Sequence, residues 1–581
     1  MPPLSRMLRG DCSIEARKML LCGCKNISPT AMQTLLCLAV DGVKFNTGVV
    51  CHDYPLERLK KSEKLEKTSG FGREMYLKCL NLKQNFYAQR IMTTSTNFLR
   101  LLSGAVSRFQ RDFFVLLAAL CGLGLCSCSS DKKVSLPVTK SFECDVLVIG
   151  GGPAGISAAV NAARHGAKTI LAEKNGCLGG MATSGLVAPF MSSTTPDGKT
   201  LLIRGFFEEF VDSLIAQNGA IHPLKAQIGS WTAYRDKGHH GLTTFDYECF
   251  KRTADKMCKD AGVKLMYHLF FIAADCKGKE IAATYFATKD GIWKIQAKTY
   301  IDCTGDGDLA FKAGAPTIYG DGNGDVQATS TFFTVRGVNK AAMDAHNEEC
   351  KKNNDFEGQF YMKEILAARA AGEFPMWRQK IALFENLDGT YTVNMAQIDS
   401  VNGLDPEQVS EAEITGREQA QIAVNFLRKY VKGCENVELA ATAADLGVRE
   451  TRRIEGIYTV TTEDAKNSVK YPDPVFCCAN HMDIHRKGYV EYVARNTNEP
   501  FYFPYRSLIP QNVNNLLVAG RCAAAERPVM AAIRVIPPCF AMGQAAGTAA
   551  ALCVKDGVAP KDLNAEKLVK TLKNDGVYLP N

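Results

Sequence analysis

The stretch 144–173 constrains the fold of this chain more than any other part of the sequence. It opens with a short apolar, β-branched run over 144–149 and continues through Gly150, Gly152 and Gly155 in G-x-G-x-x-G spacing. An alanine-rich stretch follows. This order predicts a buried strand, a tight glycine turn and a helix packed closely against a sheet. The stretch therefore predicts a βαβ unit. The alternative is a glycine-rich turn that binds no ligand.

Each part of this predicted unit has a separate physical role. Gly150 makes the tight turn, Gly152 lets the backbone approach a pyrophosphate, and Gly155 lets helix and strand touch. Amide groups at the start of the helix bind phosphates. Glu173 closes the second predicted strand, over 169–173, where its carboxylate accepts a hydrogen bond from a ribose hydroxyl. The pattern predicts a dinucleotide-binding site.

A second glycine pair, Gly179 and Gly180, follows the acid and favours FAD over NAD as the dinucleotide. An NAD dehydrogenase has no general need for this pair, whereas an extended FAD runs past such a turn. Near the other end of the chain, a predicted buried strand over 515–519 leads into Gly520 and Arg521. A small-residue helix is predicted over 540–553, and it contains Gly543.

These segments resemble the last strand and helix of FAD domains in the glutathione-reductase-type superfamily. The segments 300–310, 446–456 and 505–510 extend the likeness to the family of FAD-dependent oxidoreductases related to the flavin subunit of heterodisulfide reductase. The resemblance covers about 143–554 and implies FAD as the cofactor. The cofactor-binding residues assigned by motif and resemblance are Gly150, Gly152, Gly155, Glu173, Gly179, Gly180, Asp306, Gly520, Arg521 and Gly543.

The predicted fold class is α/β: a Rossmann-like FAD-binding domain, discontinuous in sequence, with an inserted α+β substrate domain. In the inserted domain, helices are predicted over 339–371 and 406–432. The predicted divisions are a poorly ordered or spurious extension over 1–107, a lipoprotein-type signal and tether over 108–140, the FAD-binding domain over 141–314 with an insertion at about 184–243, the substrate domain over 315–500, and a return to the FAD-binding domain over 501–581.

The net charge of +8 does not indicate a nucleic-acid partner. The first 128 residues contain 18 Lys and Arg against 9 Asp and Glu, so the rest of the chain is close to neutral. A protein that binds nucleic acid through its surface charge needs a basic excess on the binding domain. The expected partners are instead a small-molecule substrate and, as an alternative, a redox partner protein.

The segment 113–125 is apolar and follows Arg108 and Arg111, a pattern typical of a signal-peptide core. The sequence 125–128 resembles a bacterial lipobox with Cys128 as the lipidated residue, although Cys126 is atypical there. We expect a protein held by a lipid anchor on the outer side of a membrane in the bacterial cell envelope. The alternative is a cytoplasmic protein in which this segment is a buried helix. The signal begins far from Met1, which suggests a true start downstream, such as Met92.

The cysteines show neither a disulfide framework nor a redox-active pair. Thirteen of the 22 lie beyond Cys128, scattered and without any C-x-x-C spacing. The ferredoxin-type run that would bind an iron–sulfur cluster is also missing from the sequence. Cys177 lies close to the predicted FAD turn, where a packing role and a position beside the flavin are both open.

The sequence HMDIH places His481, Asp483 and His485 at alternating positions of a predicted strand, so their side chains share one face. Two histidines and an acid can bind a metal, but this spacing is not diagnostic, and no metal ligands are assigned. His485 is the candidate for proton transfer or substrate binding, since the ordinary imidazole pKa lies near working pH. A structural histidine is the alternative.

Four arginines, Arg506, Arg521, Arg527 and Arg534, flank the segment predicted to face the flavin. One or two of them are expected to bind a substrate carboxylate through the planar guanidinium, and the others to pair with acids or FAD phosphates. Together with His485, Arg534 and Arg506 are the predicted catalytic residues. The arginines near Glu450 are interpreted as a structural ion-pair network.

Three functions follow from these residues. The first is an FAD-dependent oxidoreductase in which flavin N5 takes hydride from a small organic substrate while a base takes a proton. The second is an electron-transfer subunit that passes electrons to a partner protein, like the flavin subunit of heterodisulfide reductase. The third is an FAD-binding protein without turnover. The residues identify neither a substrate nor an electron acceptor.

Overall fold

The computed structural model describes residues 135–226 and 239–580. The chain divides into two units, Met1–Lys132 and Lys133–Asn581, and every described residue belongs to the second. The predicted extension over 1–107, the signal segment with Cys128, and residues 227–238 of the predicted insertion lie outside the described residues.

The described part of the chain contains a mixture of strands and helices. The strands are β1 (Val138–Ile149), β2 (Thr169–Ala172), β3 (Lys264–Met266), β4 (Phe270–Lys277), β5 (Glu280–Thr288), β6 (Gly291–Asp302), β7 (Thr317–Tyr319), β8 (Phe333–Arg336), β9 (Leu383–Glu385), β10 (Tyr391–Val393), β11 (Glu438–Thr442), β12 (Arg452–Ile454), β13 (Pro474–Cys478), β14 (Met482–Arg486), β15 (Tyr489–Val493), β16 (Phe501–Pro504) and β17 (Leu516–Val518). The α-helices are α1 (Pro153–Arg164), α2 (Phe206–Ile215), α3 (Tyr247–Asp260), α4 (Asp308–Lys312), α5 (Lys340–Lys352), α6 (Phe356–Gln359), α7 (Met362–Ala370), α8 (Pro406–Tyr430), α9 (Thr462–Lys466), α10 (Arg527–Ile533), α11 (Ile536–Asp556) and α12 (Ala565–Asn574).

A seven-stranded sheet in the order β3-β2-β1-β6-β5-β4, with β17 also paired to β6, organises the FAD-binding part. The pairs β3–β2, β2–β1, β1–β6 and β6–β17 are parallel, whereas β6, β5 and β4 form an antiparallel ribbon. Because β1 and β6 run parallel with Ile149 opposite Asp302, both strands end at the same edge of the sheet. The α/β fold class with a Rossmann-like FAD-binding domain is confirmed, and ligands of such sheets bind at this carboxyl edge.

Helices α1 and α11 pack against each other beside the sheet. A Cβ atom on Gly543 would overlap the carbonyl oxygen of Ala154, and one on Gly547 would overlap that of Ala158. The two glycines, one helical turn apart, therefore let the helix backbones approach closely. The small residues of the predicted helix over 540–553 serve this contact, and the helix itself begins earlier, at Ile536.

A second sheet, in the order β11-β8-β10-β9, is fully antiparallel and has its own hydrophobic core. That core extends from Phe333 to Val437 and includes side chains of α7 and α8. Apolar residues of β13, β14 and β16, by contrast, share the core of α1 and α11. The predicted domain boundaries at 314 and 500 remain predictions.

The helical structure predicted over 339–371 is confirmed, but it is divided into three helices. The break falls at Asn354, with φ of +53°, and Asp355, whose carboxylate accepts a hydrogen bond from Gly358 N at 2.9 Å. An Asp that caps a new helix start competes with continuation of the preceding helix. The other predicted helix in this region is confirmed as α8, over Pro406–Tyr430.

Among the described residues, no single helix has both the length and the apolar composition to cross a membrane. Helices α10 and α11 meet those two criteria only when taken as a pair, and they are bent by 92° relative to each other. The residues of α11 from Ile536 to Cys553 are all buried within the fold.

Candidate cofactor and active site

The first glycine turn connects β1 to α1 and is packed against the end of β6. Gly150 has φ of +98°, and a Cβ atom there would overlap the carbonyl of Cys303. A Cβ atom on Gly155 would overlap the carbonyl oxygen of Gly150. Gly152 differs, because no atom of the described residues lies within 4 Å of its Cβ position. Two glycines thus close the turn, and the middle glycine leaves open space in front of it.

That open space lies at the start of α1. Gly152 is the N-cap, and no side chain caps the helix. The first backbone amides of a helix have no partner within it and carry the positive end of its dipole. The turn therefore presents uncapped N–H groups to a space that admits an anionic ligand.

Glu173 is held beside this turn by two backbone amides. Its Oε2 accepts a hydrogen bond from Gly151 N at 2.5 Å, and its Oε1 accepts one from Asn175 N at 2.8 Å. Burial raises the pKa of Glu173, and the two amide hydrogen bonds oppose that rise. The carboxylate is fixed at the end of β2, where the sequence placed the acceptor for a ribose hydroxyl.

The second glycine pair lies directly against the first turn. Gly179 N donates a hydrogen bond to the carbonyl oxygen of Gly151 at 2.8 Å. Gly179 and Gly180 have φ values of +109° and +49°, and a Cβ atom on Gly180 would lie 3.2 Å from the Cα of Gly152. The two glycine turns form one continuous backbone surface, longer than a single βαβ turn provides.

Asp306 and Arg521 are far apart in sequence and form an ion pair. Arg521 Nη2 lies 2.6 Å from Asp306 Oδ1, which also accepts a hydrogen bond from Thr451 Oγ1 at 2.6 Å. The Cβ position of Gly305 lies 3.0 Å from the guanidinium carbon, so the glycine gives that group room. Gly520, just before the arginine, has φ of +105° and approaches the start of α1.

The predicted cofactor-binding residues thus converge on the carboxyl edge of the sheet around the start of α1. Gly543 is part of this region, but its described contact is with the backbone of Ala154, so its assignment to cofactor binding remains a prediction. The open space at Gly152, the uncapped amides and the fixed carboxylate of Glu173 fit an FAD whose phosphates lie at the helix start. The Gly179–Gly180 turn fits the additional length of FAD.

A second polar cluster lies on β14. His485 is 6% exposed, and its Nε2 is 3.2 Å from Asp483 Oδ2. Burial and the nearby charge of Arg449 lower the pKa of His485 to about 3, although Asp483 opposes the shift. The imidazole is therefore uncharged at neutral pH, and the expectation that its pKa lies near working pH is wrong because the ring is buried.

The hydrogen bond to Asp483 also determines the tautomer of this uncharged ring. Burial raises the pKa of Asp483, but the His485 hydrogen bond and the charge of Arg534 outweigh it, so the pKa lies below its usual value. An ionised carboxylate accepts only, so Nε2 of His485 carries the proton. Nδ1 then has a free lone pair, and it is buried without a hydrogen-bond partner in the part of the chain that the structure describes.

The other arginines predicted to lie near the flavin differ in how closely they pair with acids. Arg527 Nε donates to Glu450 Oε2 at 2.9 Å, within a buried network that also contains Arg453. The predicted structural role of the arginines beside Glu450 is confirmed for Arg453. Arg506 lies 3.7 Å from a carboxylate oxygen of Asp473.

Arg506 also stacks on two aromatic rings, with its guanidinium carbon 4.7 Å from the ring centre of Tyr458 and 5.5 Å from that of Tyr471. These contacts hold Arg506 in place, and its predicted catalytic role stays untested. Cys177 is partly exposed, with its Sγ 3.6 Å from Ser184 Oγ. All thirteen cysteines of the described residues are free thiols.

HMDIH does not form a metal site by geometry, since the described residues contain no group of three or more His, Cys, Asp or Glu side chains that could hold an ion. Asp483 and His485 share a face, as predicted. The ring of His481 contacts that of His239, with centres 4.5 Å apart.

One link between the FAD turn and the segment after β11 was missed by sequence reasoning. Asn175 Nδ2 donates to Asp445 Oδ2 at 2.7 Å, and Ser184 O accepts from Ala444 N at 2.8 Å. No local pattern marks such a contact, because its partners are far apart in sequence. The close packing by Gly547, by contrast, was readable from the Gly-x-x-x-Gly spacing with Gly543.

The strand–glycine turn–helix unit, the fixed acid and the second glycine turn define a flavoprotein of the dinucleotide-binding α/β class. The chain belongs to the FAD-dependent oxidoreductase family, since the family described as "FAD dependent oxidoreductase" matches residues 145–572. The protein binds FAD, as membership of this family indicates.

Individual relatives are more distant. A stretch of 118 residues is 30% identical to mitochondrial dihydrolipoyl dehydrogenase of Dictyostelium discoideum, and it covers 20% of this chain and 23% of that relative. Among solved structures, a flavoprotein/dehydrogenase from Cytophaga hutchinsonii is 14% identical, with a TM-score of 0.39, over 74% of this chain and 82% of the other. A geranylgeranyl bacteriochlorophyll reductase-like protein from Thermoplasma acidophilum is 13% identical, with a TM-score of 0.37, over 75% and 84%.

Proposed function

We propose that this protein is an FAD-dependent dehydrogenase or oxidase that removes a hydride and a proton from a small organic substrate. The observation that carries the proposal is the buried, uncharged His485, whose Nε2 is bound to Asp483 and whose Nδ1 has no partner among the described residues. A general base needs a free lone pair and an orienting partner, and this pair provides both.

In this proposal the flavin and the protein side chains have separate roles. The bound flavin supplies the acceptor for hydride at N5. His485 Nδ1 accepts the proton that leaves the substrate, and Asp483 stabilises the imidazolium that forms. Because the pKa of His485 is lowered to about 3, His485 is a weak base that holds the proton only transiently, while Asp483 stabilises the imidazolium.

The test is the absorption spectrum of the purified full-length protein under anaerobic conditions. The visible flavin band should be present. Small alcohols, amines and acids are then added one at a time, and a compound that the enzyme oxidises should bleach the band. His485→Ala should retain FAD but bleach about 10²-fold more slowly or worse. His240→Ala, a change at an exposed histidine, is the matched control and should bleach at the normal rate.

Other outcomes would favour the two alternative functions. Bleaching that requires a redox partner protein would favour an electron-transfer subunit, in line with the resemblance to the flavin subunit of heterodisulfide reductase. A flavin that no metabolite and no partner reduces would favour FAD binding without turnover. Wild-type bleaching rates in His485→Ala would contradict the assignment of His485 as the base.

We also propose that the protein is anchored by lipid at Cys128 on the outer side of a bacterial membrane. Support comes from the apolar segment 113–125 and the lipobox-like sequence that follows it. Cell fractionation of wild type and Cys128→Ser tests this proposal. Wild type should be found with membranes and Cys128→Ser in the soluble fraction, whereas a wild-type protein found wholly in the cytosol would contradict it.

A further inference from the structure

We propose that Arg534 binds a carboxylate of the substrate, so that the protein oxidises small hydroxy or amino carboxylic acids. This inference rests on the proposed function and names the substrate class of the same site. Its basis is the position of Arg534 beside the Asp483–His485 pair and the lack of an ion pair within 4 Å for its guanidinium among the described residues.

Arg534 is placed by helix packing. It directly follows α10, and α10 packs against β14, the strand that carries Asp483 and His485. Asn480 Nδ2 donates to the carbonyl oxygen of Ala532 at 3.2 Å, which joins the start of that strand to the end of the helix. The carbonyl of Arg534 in turn accepts a hydrogen bond from Cys539 Sγ at 3.3 Å.

The guanidinium of Arg534 differs from those of the other three flanking arginines. Arg506, Arg521 and Arg527 each lie within 4 Å of an acid, at Asp473, Asp306 and Glu450 respectively. Each of the four has one buried guanidinium nitrogen without a hydrogen-bond partner among the described residues, but Arg534 is the one that also lacks an acid within 4 Å there. A buried donor left unpaired is unfavourable, and a carboxylate matches the planar fork of arginine in both charge and shape.

The positive charge of Arg534 acts on both Asp483 and His485, the proposed base. Burial alone would raise the pKa of Asp483, and Arg534 is one of the groups that keep it low. Arg449, the other cation near His485, already donates to Ala328 O and to Ser330 Oγ. The described geometry therefore leaves Arg534 as the cation available for an anionic ligand.

The reaction is balanced with this arrangement. In the bound hydroxy or amino acid, the C–H bond breaks and its electron pair leaves with the hydrogen to the oxidised FAD. The O–H or N–H proton goes to Nδ1 of His485, and a C=O or C=N bond forms. The carboxylate takes no part in bond breaking, and its contact with Arg534 orients the carbon and its hydroxyl or amino group.

A binding titration tests the inference without requiring turnover. Acetate, malonate and benzoate are added to the FAD-loaded full-length protein, and the change in the visible flavin spectrum gives the dissociation constant. Acetamide, malonamide and benzamide are the uncharged probes. We expect the acids to bind at least about tenfold more tightly than the amides, as for hydrogen bonds to a charged group.

The same titration is repeated with Arg534→Gln and Arg534→Lys, with FAD content as the check on folding. Arg534→Gln should remove the preference for acids, and Arg534→Lys should retain part of it. Arg336→Gln, at an exposed arginine paired with Glu438, should behave as wild type. Acids and amides that bind alike to wild type, or an acid preference that survives in Arg534→Gln, would overturn the inference.

A substrate panel then separates this inference from the proposed function. If hydroxy or amino acids bleach the flavin and their amides do not, both stand. If neutral alcohols or amines bleach it as fast as the acids, the inference fails and the dehydrogenase or oxidase remains. If acids bind through Arg534 but nothing bleaches the flavin, the inferred acid-binding contact survives and the proposed oxidation fails.

Discussion

Asp483 and His485 lie two residues apart on the same strand, and the carboxylate Oδ2 is 3.2 Å from the imidazole Nε2. Alternation along a strand puts residues i and i+2 on the same face, so the backbone itself sets this distance. The carboxylate acts on the ring in two ways, since it determines which nitrogen carries the proton and it opposes the loss of basicity caused by burial.

Replacing Asp483 by Asn should therefore impair proton transfer more than folding. The amide of Asn can donate to Nε2, which would move the imidazole proton to Nδ1 and remove the free lone pair. We expect flavin reduction to slow by about 10²-fold or more, with FAD content unchanged. Rapid-mixing measurement of flavin bleaching checks this. Asp344→Asn, at an exposed acid paired with Lys340, is the control, and an undiminished rate in Asp483→Asn would contradict the role of Asp483.

The depressed pKa of His485 makes stability depend on pH. In the unfolded chain the imidazole takes up a proton near its ordinary value of 6.5, whereas in the folded protein it does so only near 3. The unfolded state thus binds more protons between these values, so this contribution is present above pH 6.5 and is lost as the pH falls toward 3. The groups that face the ring are Asp483, Arg449 and Arg534.

The expected slope from this one group is up to about 1.4 kcal/mol in the free energy of unfolding per pH unit. Urea unfolding at pH 7.5, 6.5 and 5.5 measures it. His485→Gln should lose this part of the pH dependence, whereas His240→Gln, at an exposed histidine, should retain it. Equal slopes in wild type and His485→Gln would show that the ring is charged in the folded protein.

Two glycines near the start of α1, Gly152 and Gly543, should respond differently to substitution. Gly543→Val should destabilise the fold by about 1–3 kcal/mol, because any Cβ there overlaps the carbonyl of Ala154. Gly152→Ala should leave unfolding nearly unchanged in the FAD-free protein, since its Cβ meets nothing within 4 Å. Its methyl group would instead occupy the space assigned to the pyrophosphate, so FAD binding should weaken.

Thermal unfolding and the FAD retained after gel filtration distinguish the two effects. A Gly152→Ala protein that binds FAD normally would show that the phosphates lie elsewhere. A Gly543→Val protein of unchanged stability would show that α1 and α11 can separate without cost.

Glu450 should be among the acids most important for stability. Its side chain is 0% exposed and pairs with Arg453 at 2.7 Å and Arg527 at 2.9 Å. Removing one partner from a buried ion-pair network leaves uncompensated charge, so Glu450→Gln should cost about 3–5 kcal/mol in the free energy of unfolding. Glu438→Gln, which breaks an exposed pair with Arg336, should stay within about 0.5 kcal/mol of wild type in a urea titration. Equal free energies of unfolding for Glu450→Gln and Glu438→Gln would show that the buried network contributes no more to stability than the exposed pair.

The parts of the fold and site that the sequence predicted are those determined by local backbone requirements. The strand before Gly150 and the helix after it were predictable because each depends on residues close in sequence. The shared face of Asp483 and His485 followed from strand periodicity in the same way. The fold class followed because the glycine spacing admits few alternatives.

The remainder depends on contacts between distant segments, which no local pattern encodes. Arg527 and Arg534 differ in what the folded chain places beside them. Glu450 lies 2.9 Å from the guanidinium of Arg527, whereas Arg534 has no ion pair within 4 Å among the described residues. Burial lowers the pKa of His485 from the ordinary imidazole value of 6.5 to about 3, and His485 lies on β14, against which α10 packs. The break between α5 and α6 was missed because the capping role of Asp355 was not recognised.

The contact of Gly543 with Ala154 has a consequence for biosynthesis. The first helix of the cofactor domain leaves the ribosome long before the helix that covers it, and at usual elongation rates the delay is roughly 20–80 s. During that interval the alanine face of α1 has no partner from α11, and the site cannot assume its final form. We therefore expect FAD to bind only after α11 has been synthesised, and a chain truncated before α11 to depend on chaperones.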